Sequence, residues 1–142
     1  MADNELRIVR AHADAQLPVR ADEDAAGYDL CAVEEAVVPA RGRALVSTGL
    51  RVGLPKGVYA RVAPRSGLAV NGVDTLAGVV DRGYTGIVYV LLRNDRDCDF
   101  MVHPGRRIAQ LILERHETPP VVEVQELAVS SRGDGGFGST GA

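Results

Sequence analysis

"GVYARVA" (residues 57–63) decides the fold, because Val58, Ala60 and Val62 alternate with Tyr59 and Arg61. A period of two turns one row of side chains toward a core and the other toward solvent, as in a half-buried β-strand. Outward from it, short runs rich in β-branched residues recur on both sides. Upstream stand "LRIVRA" (6–11), "AVVPA" (36–40) and "ALVSTGLRVGL" (44–54). Downstream stand "TLAGVV" (75–80), "TGIVYVLL" (85–92), "FMVHP" (100–104), "RIAQLILERH" (107–116) and "VVEVQEL" (121–127). Turn residues separate them in "PARGR", "LPKG", "VDRGYTG", "RNDRDCD" and "HPGR". The unbroken apolar run "IVYVLL" predicts a strand buried on both faces. Many short strands at this spacing predict an all-β fold, a sandwich, jelly roll or barrel. One short helical turn is expected, at Ser66–Val70. No repeat or linker divides the chain. Composition shifts only after Leu127, so one domain (1–127) and a glycine-rich tail (128–142) are expected.

The 142 residues suffice for a single core. Aromatics make up 4% of the chain and Trp is absent, so that core should be aliphatic. A formal charge of −3 with mixed signs argues against nucleic-acid and membrane-surface partners. No transmembrane span is legible, and "MADNELRIVRAHADAQ" lacks the apolar region of a signal peptide. With only Cys31 and Cys98, far apart, both thiols should be reduced. A cytoplasmic or nuclear protein, not a secreted one, is expected.

Three signals fail on context. "GFGSTG" matches a dinucleotide fingerprint, but the chain given ends one residue later, where a helix would be required. "DRDCD" has a calcium loop's first spacings, yet Phe100 and Arg106 occupy its glycine and glutamate positions; an acidic hairpin loop is the better reading. "RGD" at 132–134 is a three-residue coincidence. His12, His103 and His116 lack metal-ligand spacing.

Five segments combine glycine with polar groups: "AAGYDL" (25–30), "PRSGLA" (64–69), "GVVDRGYTG" (78–86), "GRRIAQLI" (105–112) and "RGDGGFGSTG" (132–141). Arg65, Ser66 and Gly67 follow a proline and open the helical turn, an arrangement suited to phosphate. Arg132, Ser139 and Thr140 form a second anion-binding set on a flexible strand, and Phe137 can lie flat on a base. Asp81, in a glycine-flanked hairpin with Tyr84 three residues on, can activate water or hold a metal ion. The residues thus describe a β-domain for a nucleoside polyphosphate.

Taken together and in order, the five segments resemble the motifs of the trimeric deoxyuridine triphosphatase (dUTPase) family over almost the whole chain. The resemblance implies a distorted β-jelly-roll homotrimer that hydrolyses dUTP to dUMP and pyrophosphate with Mg²⁺. That reaction keeps uracil out of DNA and supplies dUMP for dTMP synthesis. Three active sites at subunit interfaces are implied, each built from all three chains and closed by a neighbour's exchanged C-terminal arm. Asp81 would be the general base. Arg65, Ser66, Gly67, Gln110, Arg132, Gly138, Ser139 and Thr140 would hold the phosphates. Thr75, Gly78, Val79, Tyr84, Tyr89 and Phe137 would contact uracil and deoxyribose. Asp29 would reach the metal through water, and Arg107 would be structural, paired with a carboxylate across an interface. The pattern departs from many relatives at Arg82 and Gly83, where acidic residues are common, and the loop Ala69–Thr75 is short. Two alternatives differ in class. A dCTP deaminase would need a glutamate where Leu91 stands. A catalytically silent nucleotide sensor would have no need to keep Asp81, Tyr84, Arg132 and Phe137 together.

Overall fold

The computed structural model describes residues 4–141. Eleven short strands and one five-residue helix make up its regular structure. Strands β1 (Arg7–Arg10), β2 (Tyr28–Cys31), β3 (Ala36–Val38), β4 (Arg43–Ser47), β5 (Leu50–Gly53) and β6 (Val58–Ala63) precede helix α1 (Ser66–Val70). After it come β7 (Val73–Leu76), β8 (Val79–Val80), β9 (Tyr89–Asn94), β10 (Phe100–Val102) and β11 (Arg107–Arg115). All named strands pair antiparallel, in four small sheets: β2-β11-β6-β8, β4-β9-β7, β1-β5 and β10-β3. The sheets close around one core, giving the distorted barrel that the sequence predicts.

That core is aliphatic, as expected. Leu30, Leu50, Leu92, Ile108 and Leu111 are fully buried among valines, with Phe100 at its edge. Each such side chain contributes about 1.5–3 kcal/mol on burial. The buried Asn94 is fully engaged. Its amide donates to the carbonyls of Val38 (3.1 Å) and Cys98 (2.9 Å), and its oxygen accepts from Arg96 N (3.0 Å). It fixes the end of β9 to β3.

Four expectations are corrected. "IVYVLL" is not buried on both faces: Val88, Val90 and Leu92 point inward while Tyr89 is exposed. The sheet containing β9 has only one core-facing side. "TLAGVV" is two strands, split where Ala77 (φ 56°) and Gly78 (φ 98°) take left-handed backbone. A Cβ at Gly78 would stand 2.6 Å from the Val62 carbonyl oxygen, so only glycine fits. The "DRDCD" loop does not form a hairpin, because β9 and β10 belong to different sheets. Asp97 instead pairs with Arg41 at 2.7 Å, and Asp99 accepts from Ala40 N at 2.9 Å. Finally, "VVEVQEL" forms no strand. Among the described residues it joins no sheet, and Val121, Val122, Val124 and Leu127 are exposed.

Candidate active site

Strand β2 and the bulged start of β11 carry the first set of polar residues. Gln110 stands opposite Asp29 in their register. Gly27 allows this pairing to close, since a Cβ there would fall 2.3 Å from Gln110 Oε1. Gln110 Nε2 donates to the Pro64 carbonyl at 3.0 Å, tying β11 to the turn where β6 ends. Pro64 ends that strand and Arg65, with φ −91° and ψ 133°, starts α1. Asn71 caps the other end, its side-chain amide donating to the Gly67 carbonyl at 2.9 Å. Ser66 and Gly67 are therefore presented outward on a pinned turn.

These elements surround an open cavity of about 450 Å³, lined by Gly27, Asp29, Arg65, Ser66, Gly67 and Gln110 among others. Asp29 is mostly buried in it. Arg65 Nε lies 3.8 Å from one of its oxygens and Arg107 Nη1 3.7 Å from the other. Arg107 thus has a carboxylate partner within its own chain. Both distances are ion-pair contacts too long for hydrogen bonds, so lone pairs of Asp29 stay available to water. Cys31 lies one turn of the pleat away, its thiol pushed up by burial and so kept protonated.

A second, smaller cleft of about 220 Å³ is lined by Val62, Gly78, Val79, Val80, Asp81, Tyr84, Ile87, Val88 and Tyr89. It sits in the long connection of the β7–β9 hairpin. Val62 N donates to the Gly78 carbonyl at 2.7 Å, bringing this arch against β6. Asp81 is exposed at its tip. A turn fixes it, with Tyr84 N donating to the Asp81 carbonyl at 3.0 Å. The Tyr84 hydroxyl donates to the Ile87 carbonyl at 2.6 Å, and Arg82 Nε to the Leu54 carbonyl at 3.3 Å.

The expected residues therefore divide. Asp29, Arg65, Ser66, Gly67 and Gln110 meet in the large cavity; Gly78, Val79, Asp81, Tyr84 and Tyr89 meet in the small cleft. The two share no lining residue. Thr75 lines neither; it is half-buried on β7. Arg132, Phe137, Gly138, Ser139 and Thr140 reach neither, and Phe137 is fully exposed. The tail's hydrogen bonds are local, such as Arg132 Nε to the Gly135 carbonyl (2.6 Å) and Gly136 N to Ser139 Oγ (2.7 Å). Asn71 and Arg106 line the large cavity but were not expected to. The Asn-Gly pair after α1 was a legible capping signal; Arg106 carried none beyond its place in "GRRIAQLI".

Among the described residues, no three His, Cys, Asp or Glu side chains converge as a metal cage. A divalent cation held in the cavity would need ligands beyond these side chains, such as phosphate oxygens and water. The open lone pairs of Asp29 fit such an ion's water shell.

Comparison with known proteins identifies the family. The dUTPase family model matches residues 13–141. The deoxyuridine 5'-triphosphate nucleotidohydrolase of Oryza sativa subsp. japonica is 53% identical over 137 residues, covering 96% of this chain and 80% of its own. That of Paramecium bursaria Chlorella virus 1 is 53% identical over 128 residues, covering 89% of this chain and 91% of its own. In structure, the Staphylococcus bacteriophage 80alpha dUTPase with dUPNHPP superposes at TM-score 0.92 and 27% identity, over 98% of this chain and 99% of that one. A dUTPase of phage phi11 of S. aureus, described with a structural Mg(II) ion, shares the fold at TM-score 0.81 and 23% identity, over 87% of this chain and 98% of that one. With its motifs placed on that fold and its sequence matched almost end to end, this chain belongs to the dUTPase family.

Proposed function

We propose that the protein is a dUTP diphosphatase, cleaving dUTP to dUMP and pyrophosphate in sites shared between three subunits. The carrying observation is the split of site residues into two disjoint clefts and a detached tail. One cleft has the cations and donors for a triphosphate. The other has the carboxylate and a base-sized slot walled by two tyrosines. Stacking one subunit's large cavity against a neighbour's small cleft joins them, and the tail of a third covers the result. The exposed "VVEVQEL" segment favours this: its four exposed apolar residues call for a neighbouring surface to cover them. From Glu117 to Gly141 the extended chain can span on the order of 80 Å, at about 3.3 Å per residue. Residues 128–142 then act as the arm and 1–127 as the body.

Asp81 takes a proton from a water, whose oxygen attacks the α-phosphorus while the bond from that phosphorus to the α,β-bridging oxygen breaks. The rigid turn around Asp81 sets the line of attack. Arg65, Ser66, Gly67 and Gln110 hold the phosphates. Asp29 would hold Mg²⁺ through water, and the ion, when bound, would supply charge neutralisation on the phosphate oxygens. Gly78 and Val79 present main chain to uracil, and Tyr84 packs under the deoxyribose and excludes a 2′-hydroxyl. Thr75 supports this hairpin from β7. Phe137 stacks on uracil, worth about 1–3 kcal/mol, while Arg132, Gly138, Ser139 and Thr140 grip the terminal phosphate. A deaminase is disfavoured because Asp81 is the only carboxylate lining the small cleft among the described residues.

Pyrophosphate release from dUTP, dCTP, dTTP and UTP, with magnesium, tests the reading. dUTP should be cleaved about 100-fold or more faster than the others, as a site built for one hydrogen-bond pattern allows. Equal rates on all four, or ammonia release from dCTP, would overturn it.

A further inference from the structure

Arg106 is an exposed cation just before β11. It lines the large cavity beside Arg65, Ser66 and Gln110. Its guanidinium carbon lies 4.7 Å from the centroid of the Phe100 ring. Phe100 is buried on β10, so the platform is fixed. A cation over an aromatic face is attracted by the ring quadrupole, and stacking restrains the side chain without consuming its N–H donors. The backbone is held too: Arg106 N donates to the His103 carbonyl (3.1 Å), and its carbonyl accepts from Ala32 N (2.9 Å).

The charge balance of the cavity calls for such a group. Arg65 and Arg107 both face Asp29, so this trio offers one net positive charge. Asp22, Glu23 and Asp24 lie in the loop between the lining residues Ala21 and Ala25, adding acidity at the rim. Apart from Mg²⁺ and the arm's Arg132, which the proposed mechanism already uses, a triphosphate meets only that charge in the cavity wall. Among the described residues, no carboxylate lies within ion-pair distance of Arg106.

We propose that Arg106 is a further substrate-binding residue, donating from its Phe100-stacked guanidinium to the outer phosphates held in this cavity. The proposal rests on the dUTP reading above. Its test uses Arg106→Met, which keeps an unbranched side chain over the ring without charge, and Arg106→Lys, which keeps the charge. KM and kcat for dUTP are measured at low and high salt, and binding of inorganic pyrophosphate is measured separately by calorimetry. Arg106→Met should raise KM about tenfold, with kcat within about twofold, and weaken pyrophosphate about tenfold, as for one lost charge-assisted hydrogen bond. Its kcat/KM should also fall less with salt, and Arg106→Lys should recover most of the loss. Unchanged KM and pyrophosphate affinity in Arg106→Met would overturn the proposal. Equal losses in both variants with a lowered melting temperature would also overturn it, making Arg106 a packing partner of Phe100. If pyrophosphate binds wild type more tightly than Arg106→Met but dUTP is never cleaved, the anion role stands and the dUTP reading falls.

Discussion

At the scale of single residues, Asp81 is the group on which turnover depends in the proposed mechanism. It stands exposed in a turn closed by Tyr84 N, and Arg82 ties that turn to Leu54. Its place is thus set by neighbours rather than by contacts of its own carboxylate. Asp81→Asn should leave the turn intact, since the closing bond uses the backbone carbonyl. The variant should bind dUTP with near-normal affinity and lose about 100- to 10,000-fold in kcat, the range for removing a general base. Single-turnover kinetics alongside a binding isotherm separate the two effects. Turnover within tenfold of wild type would remove Asp81 from the base role.

At the scale of paired elements, β6 and β11 are held by a side-chain cluster as well as by their ladder. Tyr59 stands opposite Glu114, and Arg61 lies two residues further on the same face. The Tyr59 hydroxyl donates to Glu114, and Arg61 Nε donates to it at 2.7 Å. The hydroxyl bond from Tyr59, and then that from Arg61, hold the Glu114 carboxyl below its usual range. Its folded pKa therefore lies below the unfolded one. The cluster's contribution is complete above the usual carboxylate range and is lost as pH falls through it. Glu114→Gln should flatten the drop in melting temperature between about pH 5 and pH 3. Superimposable pH profiles would show the cluster to be solvated decoration. Strand β6 itself was legible in the sequence, because the alternation in residues 57–63 is carried by a local period; its pairing with β11 was not. The break at Ala77–Gly78 was not, since the close approach of the Val62 carbonyl that demands it is a tertiary contact. Nor was the exposed side of β9: apolar Tyr89 and Leu91 read as core, although only one face of their sheet meets it.

At the scale of the whole molecule, the motifs were legible but their division was not. Glycine-flanked polar segments announce a site by residue type, whereas which cleft each joins depends on how β6 and the β7–β9 arch fold past each other. Thr75 shows the limit, lying in the right hairpin yet outside both clefts. On the proposed reading, two clefts and a tail that reaches neither make a single chain incomplete, and that has a sharp consequence. Removing residues 128–142 deletes Arg132, Phe137 and the terminal hydroxyls but no core residue, because the described part of the tail makes only local hydrogen bonds. The truncated protein should melt within a few degrees of the full chain, as expected where no buried contact is lost, and lose most activity. Asp81→Asn should be equally inactive while still carrying an intact arm. Co-refolding the two in equal amounts then places some arms over some intact aspartates. With the base and the arm drawn from different subunits at random, roughly a quarter of the sites are complete, so roughly a quarter of wild-type activity per site should return. Activity assayed after mixing and refolding, against each variant refolded alone, measures this. No recovery from a mixture shown by light scattering to be trimeric would mean that each chain closes its own site.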